Sequence, residues 1–107
     1  MSHRVLFADD AEQDLEDVYR FIAGRDGVQT ADRILGEIEP ACLALEAFPE
    51  RGNVPKELGG LGMAEYRELH HKPWRMIYRT VGDDVIIYCI TDGRRDMQSF
   101  LERRLLR

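Results

Sequence analysis

Ala11, Leu15, Val18 and Ile22 recur at steps of four, three and four, which puts them on one stripe of a helix facing a core. Asp9 stands before this run with Glu12 three residues on, the spacing of a capping box. Asp10, Glu12 and Asp14 suit the positive end of the same helix, and Gly24 and Gly27 are expected to end it. A second helix is predicted from about Val28 or Thr30 to Phe48, on Ala31, Ile34, Leu35, Ile38, Ala41, Cys42, Leu45 and Phe48. Pro40 lies inside this pattern and withholds a hydrogen bond from the carbonyl of Gly36, so a kink or break is expected there. The short connection between the two helices predicts an antiparallel hairpin that covers one face of a sheet.

Elsewhere the pattern is that of strands. Arg4–Ala8 is a short apolar run, and Tyr66–His70, Trp74–Val81 and Val85–Ile90 are rich in the residues that suit a pleated, half-buried surface. His71-Lys72-Pro73 and Gly82-Asp83-Asp84 separate the last three runs. Connections this short require antiparallel neighbours, hence a three-strand meander. Along its middle strand, Arg75, Ile77, Arg79 and Val81 fall on one face, and Trp74, Met76, Tyr78 and Thr80 on the other. The glycines and proline of 52–62 predict a long mobile loop with no phosphate-binding pattern. From Asp96 onward, Met97, Phe100, Leu101 and Leu105 make a short amphipathic helix, with Asp92 or Asp96 as its cap and docking either on its own sheet or on a partner. The expected architecture is α+β, one domain over 1–107: N-terminal strand, helical hairpin, a meander completing one sheet, and a short C-terminal helix.

Charge changes this picture more than bulk composition does. The chain has 107 residues, is 33% charged and carries a net charge of −5, and no run is long and apolar enough to span a membrane. Residues 1–64 have a balance of −7 and residues 65–107 a balance of +2. Overall acidity argues against non-specific nucleic-acid binding. A basic face remains available on the C-terminal half, unless acidic helices and basic sheet simply attract one another. The N-terminus lacks the apolar core of a signal peptide, which predicts a cytoplasmic protein. Cys42 and Cys89 are isolated within apolar runs and read as core residues, so no disulfide, metal or cofactor is expected.

Several segments carry a family resemblance. They are Ala11-Glu12-Gln13-Asp14-Leu15, Phe48-Pro49-Glu50-Arg51-Gly52, Tyr66-Arg67-Glu68-Leu69, Trp74-Arg75-Met76-Ile77-Tyr78-Arg79, and Gly93-Arg94-Arg95-Asp96 with Arg104-Leu105-Leu106. In order and spacing they resemble the RelE/ParE superfamily of bacterial type II toxins over essentially the whole chain. The resemblance implies a small cytoplasmic toxin held inactive, as a hetero-oligomer, by a co-expressed antitoxin that wraps it with an otherwise disordered segment.

Two targets are implied within that superfamily. RelE-like members cut mRNA in the ribosome, with basic side chains on the sheet and a general acid or base near the C-terminus. Carried over, that set is Arg67, Arg75 and Arg95, with His70 or His71 as acid or base. Here, however, Leu69 holds a further basic position, and Leu101, beside Phe100, falls near the tyrosine position. A second nuclease arrangement would use Glu57 and Arg75, but its C-terminal His-Tyr pair is replaced by the end Arg104-Leu105-Leu106-Arg107. Tyr78 reads as a hydrogen-bonding group at the edge of the core. ParE-like members lack the nuclease set and are implied to inhibit DNA gyrase by binding, without chemistry of their own. The chain resembles them more closely, and Arg94, Arg95, Phe100, Leu101 and Leu105 are then the expected target- or antitoxin-binding residues. The alternatives are a ribosome-dependent mRNA endoribonuclease and an inactive, antitoxin-binding remnant.

Overall fold

The first strand is short because its apolar run is short: β1 spans Arg4–Phe7, and the chain turns at Ala8 into helix α1, Asp9–Asp26. In the computed structural model, which describes residues 2–106, Ala8 takes the N-cap position and makes no side-chain cap. Asp9 is already helical, so the expected capping box is not formed. Asp9, Asp10 and Glu12 instead place their charges on the first turn, where the exposed N–H groups favour them. Gly24 stays inside α1, and Gly27, at φ 97°, makes the one-residue link to α2, Val28–Leu43. The second helix runs through Pro40 without a break and ends earlier than the periodicity indicates, in a 3-10 turn over Ala44–Glu46.

The segment expected to be a long loop is partly ordered against the sheet. It contains the short helix α3, Lys56–Gly59, and an isolated bridge from Asn53 to Glu68. Pro55 and Leu58 are buried there. Three strands follow, β2 (Tyr66–His71), β3 (Trp74–Val81) and β4 (Asp84–Asp92), and then α4 (Met97–Leu105). The sheet order is β1-β4-β3-β2, with β1 parallel to β4 and the meander antiparallel.

Each face of the sheet has its own core. On one, Trp74, Met76, Tyr78, Val85, Ile87 and Ile90 meet the buried stripe of α1 and α2, including Val18, Ile22, Leu35 and Ile38. On the other, Ile77 and Cys89 meet Leu58 and the α4 residues Met97, Phe100 and Leu101. A register shift between Ile77 and Tyr78 leaves Tyr88 as the extra residue of β4. Tyr88 and Cys89 thereby both serve the α4 side.

Candidate functional site

Arg75 lies where the sheet meets the 52–62 segment. On β3 it stands between His70 of β2 and Thr91 of β4, in one cross-strand row. Its aliphatic stem passes directly over Gly93, where a Cβ would collide with Cγ and Cδ of the arginine. The guanidinium is then held by carboxylates. Nε donates to Glu68 Oε1 at 2.5 Å, while Nη1 and Nη2 donate to the two oxygens of Glu57 at 3.1 and 2.8 Å. The side chains of Arg75, Glu57 and Glu68 are only 11%, 12% and 4% exposed. The bonds from Arg75 hold the Glu57 carboxyl below the ordinary carboxylate range, and the bonds to Glu57 foremost raise Arg75 in turn.

The cluster extends one shell outward. Asn53 Nδ2 donates to Glu68 Oε2 at 3.1 Å, and His70 Nε2 lies 3.2 Å from Asn53 Oδ1 and 3.5 Å from Glu68 Oε2. With the amide oxygen of Asn53 as acceptor, the hydrogen sits on His70 Nε2. Asn53, Lys56, Glu68, His70 and Arg75 line an open cleft of about 300 Å³. Its one buried cation faces two carboxylates, so the cleft offers no uncommitted positive charge from Arg75.

Arg67 and His71 of the expected nuclease set are not gathered here. Alternate residues of a strand point to opposite faces, so Arg67 lies across the sheet from Arg75, in register with Tyr78. Arg67 Nη1 donates to the carbonyl of Gly52 at 2.8 Å, and the Gly52 N–H donates to the Tyr78 hydroxyl at 2.9 Å. A Cβ on Gly52 would overlap the Glu68 carbonyl and that hydroxyl, which explains glycine at the end of Phe48-Pro49-Glu50-Arg51-Gly52. His71, on the helix side as well, contacts Glu37 of α2 at 2.8 Å. Leu69 packs against the helix-side core.

The turn after β4 separates Arg94 from Arg95. Arg94 is bound to Asp92 through its backbone N–H and through Nε and Nη2, yet its side chain remains 67% exposed. These bonds hold Asp92 below the ordinary carboxylate range. The Arg95 side chain pairs with neither Asp92 nor Asp96. Its Nη1 donates to Thr91 Oγ1 at 3.2 Å, and its guanidinium lies 4.2 Å above the Phe100 ring. Asp96 caps α4, accepting from the Ser99 N–H. Phe100 and Leu101 are buried and Leu105 is half-buried, so α4 docks on its own sheet and offers neither Phe100 nor Leu101 to solvent.

One further pair had no local signal. Asp14 of α1 accepts both Nη atoms of Arg104 at 3.1 and 2.8 Å and also the Ile90 N–H at 2.9 Å. Arg104 Nη2 donates to the Tyr88 carbonyl at 3.0 Å. Strand β4 extends past the end of β1, and these two side chains take the edge groups that β1 leaves unpaired. Burial of Arg104 is the largest single influence and lowers its pKa, but its bonds to Asp14 and the nearby negative charges together outweigh it, so the net shift is upward. Among the described residues, no group of three or more His, Cys, Asp or Glu side chains is arranged to hold a metal ion.

Comparison with known proteins finds similarity over most of the chain. The family model described as the ParE toxin of the type II toxin–antitoxin system, parDE, matches residues 5–97. Toxin ParE3 of Caulobacter vibrioides is 34% identical over 102 residues, which is 94% of this chain and 97% of that protein. Among solved structures, the chromosomal ParDE system from P. aeruginosa superposes with a TM-score of 0.73 at 17% identity, over 85% of this chain and 96% of that one. The RelBE2 toxin–antitoxin complex from Mycobacterium tuberculosis gives 0.62 at 19% identity, over 86% and 92%. An arginine-substituted E. coli toxin RelE in the free state gives 0.63 at 12% identity, over 98% and 100%. At these identities the structures establish a shared fold.

Proposed function

This chain belongs to the ParE toxin family of type II toxin–antitoxin systems, and we propose that it arrests growth by binding DNA gyrase in the cytoplasm until a cognate antitoxin occupies it. The observation that carries this reading is the commitment of Arg75 to Glu57 and Glu68. Cleavage of RNA by its own 2′-hydroxyl needs a cation free to meet the phosphate, together with a base and a leaving-group acid. Each of the three side-chain nitrogens of Arg75 donates to a carboxylate, Leu69 is packed in a core, and the buried Leu101 has no titratable group. The net charge of −5 also disfavours docking on the ribosome, a polyanion. Antitoxin neutralisation and the gyrase target both come to this chain from its family.

A ribosome-dependent mRNA interferase is the second reading. It draws on the cleft that Arg75 shares with His70, with Glu57 bonded to Arg75, where His70 would act as acid or base. One culture separates the two. The chain is induced without antitoxin, and plasmid supercoiling and cleavage of translated mRNA are followed in parallel. The gyrase reading expects lost negative supercoiling and an SOS response with intact transcripts. Codon-positioned mRNA cuts within minutes, at normal supercoiling, would replace it by the interferase. Normal growth of a culture making folded protein would leave only an antitoxin-binding remnant.

A further inference from the structure

Helix α4 covers only part of its side of the sheet. Beyond the row of Ile77 and Cys89, the next cross-strand row is Leu6 of β1, Ile86 of β4, Arg79 of β3 and Tyr66 of β2. All four point away from the helical hairpin, because Val5, Phe7, Tyr78, Val85 and Ile87 alternate with them and pack on its side. Only Tyr66 belongs to a core, while Leu6 is 37% exposed and Ile86 and Arg79 are half-buried. The following row holds Arg4, Asp84 and Val81, the last of them 44% exposed. A sheet face in contact with water ordinarily carries polar residues at such positions.

Arg79 supplies a second, independent observation. Its Nε is buried and donates to nothing, and its guanidinium lies 5.8 Å from the centre of the Tyr66 ring. Among the described residues no carboxylate pairs with it, whereas Arg4, Arg75 and Arg104 each meet at least one. A half-buried cation with an idle donor is matched by an anion from outside. The carboxylate in the next row, Asp84, is already taken by Arg4 Nε at 3.1 Å and Nη2 at 3.4 Å. Asp83, in the turn beyond, is exposed, and its side chain bonds to nothing among the described residues. Extended backbone keeps Arg79 and Asp83 apart within one molecule.

We propose that two copies of the chain pair through this bare half of the sheet about a two-fold axis, with Arg79 of each copy meeting Asp83 of the other. Self-complementarity selects a second copy as the occupant. A two-fold interface needs one patch to carry both members of every contact. This patch carries a lone cation, a lone carboxylate, and the apolar strip of Leu6, Ile86 and Val81 beside them. Apolar faces of two sheets stack on one another in the same way inside sandwich folds. Such pairing is independent of the target that the toxin binds.

The test is the mass of the purified full chain by sedimentation or light scattering over about 1 to 100 μM, where a modest interface is expected to form a dimer. Val81→Glu charges the apolar strip. Arg79→Glu or Asp83→Arg sets like charges against each other in both symmetric contacts. Each is expected to weaken dimerisation by about tenfold or more. The double variant Arg79→Glu, Asp83→Arg is expected to return to within about threefold of wild type. Thermal melting confirms folding, and Val81→Glu and Asp83→Arg change exposed positions outside both cores. A wild-type chain that stays monomeric up to about 100 μM would overturn the proposal. A wild-type dimer unmoved by folded Val81→Glu and Asp83→Arg would place the contact on another face and overturn it as well. Loss in both single charge variants, without recovery in the double variant, would overturn the pairing of Arg79 with Asp83.

Discussion

Arg75 owes its position to an absence: Gly93 leaves room for its stem, and the stem then delivers the guanidinium to Glu57 and Glu68. Removing one carboxylate from such a pair leaves a mostly buried charge under-compensated. Glu57→Gln is therefore expected to destabilise the protein by about 2 kcal/mol at neutral pH, below the range for fully buried pairs because the cleft is open. The pH dependence has a definite sign. The folded-state pKa of Glu57 is depressed, so its contribution is complete above the unfolded value of about 4.3 and is lost as pH falls through the folded value. Urea unfolding of wild type and variant should thus differ at pH 7 and converge in strong acid. An equal gap at both extremes would mean that Glu57 acts by packing and not by charge. This residue-scale pairing was only half legible in the sequence. The family resemblance names Arg75 and Glu57 together, as two places of a nuclease arrangement and not as an ion pair, and Glu68 reads as an ordinary strand residue until the antiparallel register aligns it with Ile77, beside Arg75.

At the scale of elements, periodicity carried furthest where a buried stripe or alternation exists. The stripe Ala11, Leu15, Val18 and Ile22 gave α1, and β3 has the bounds its residues indicate. Periodicity failed where tertiary contacts decide. Asp9 has capping chemistry, yet the chain leaves β1 already turning, and Ala8 becomes the cap. The 52–62 segment has loop composition, but buried Leu58 and the Asn53–Glu68 bridge order it. The link between α1 and α4 was invisible for a simpler reason: Asp14 and Arg104 are 90 residues apart. That link makes a prediction about α4. Asp14→Asn keeps an acceptor for the Ile90 N–H but removes the charge that holds Arg104. Hydrogen exchange in peptides covering 97–105 should accelerate by about tenfold, equivalent to about 1.4 kcal/mol of local stability. Unchanged exchange would show that burial of Phe100 and Leu101 alone holds the helix down.

Across the whole molecule, the uneven charge of the two halves is largely used up internally. Arg104 reaches Asp14 and Asp10, Arg75 reaches Glu57, and His71 reaches Glu37, each joining the basic C-terminal half to the acidic N-terminal half. Arg67 turns its Nη1 to carbonyls of the 50–52 segment. Exposed cations that remain at this end of the sheet include Lys72 of the β2–β3 turn and Arg94, held by the neighbouring Asp92, with Arg95 beside it. Adjacent arginines that can exchange an intramolecular carboxylate for a partner's, bidentately, suit recognition of a protein surface. If the toxin works by binding, the Arg94→Ala, Arg95→Ala double variant should lose most of its growth arrest when induced without antitoxin. Because Arg95 also stacks on Phe100, that variant must be compared with Arg94→Ala alone, which removes no contact to either core. Loss of toxicity in both, with unchanged thermal melting of the single variant, places target recognition at this turn. Full toxicity of the folded double variant would remove the turn from the mechanism, and binding would then have to be sought on another face of the molecule.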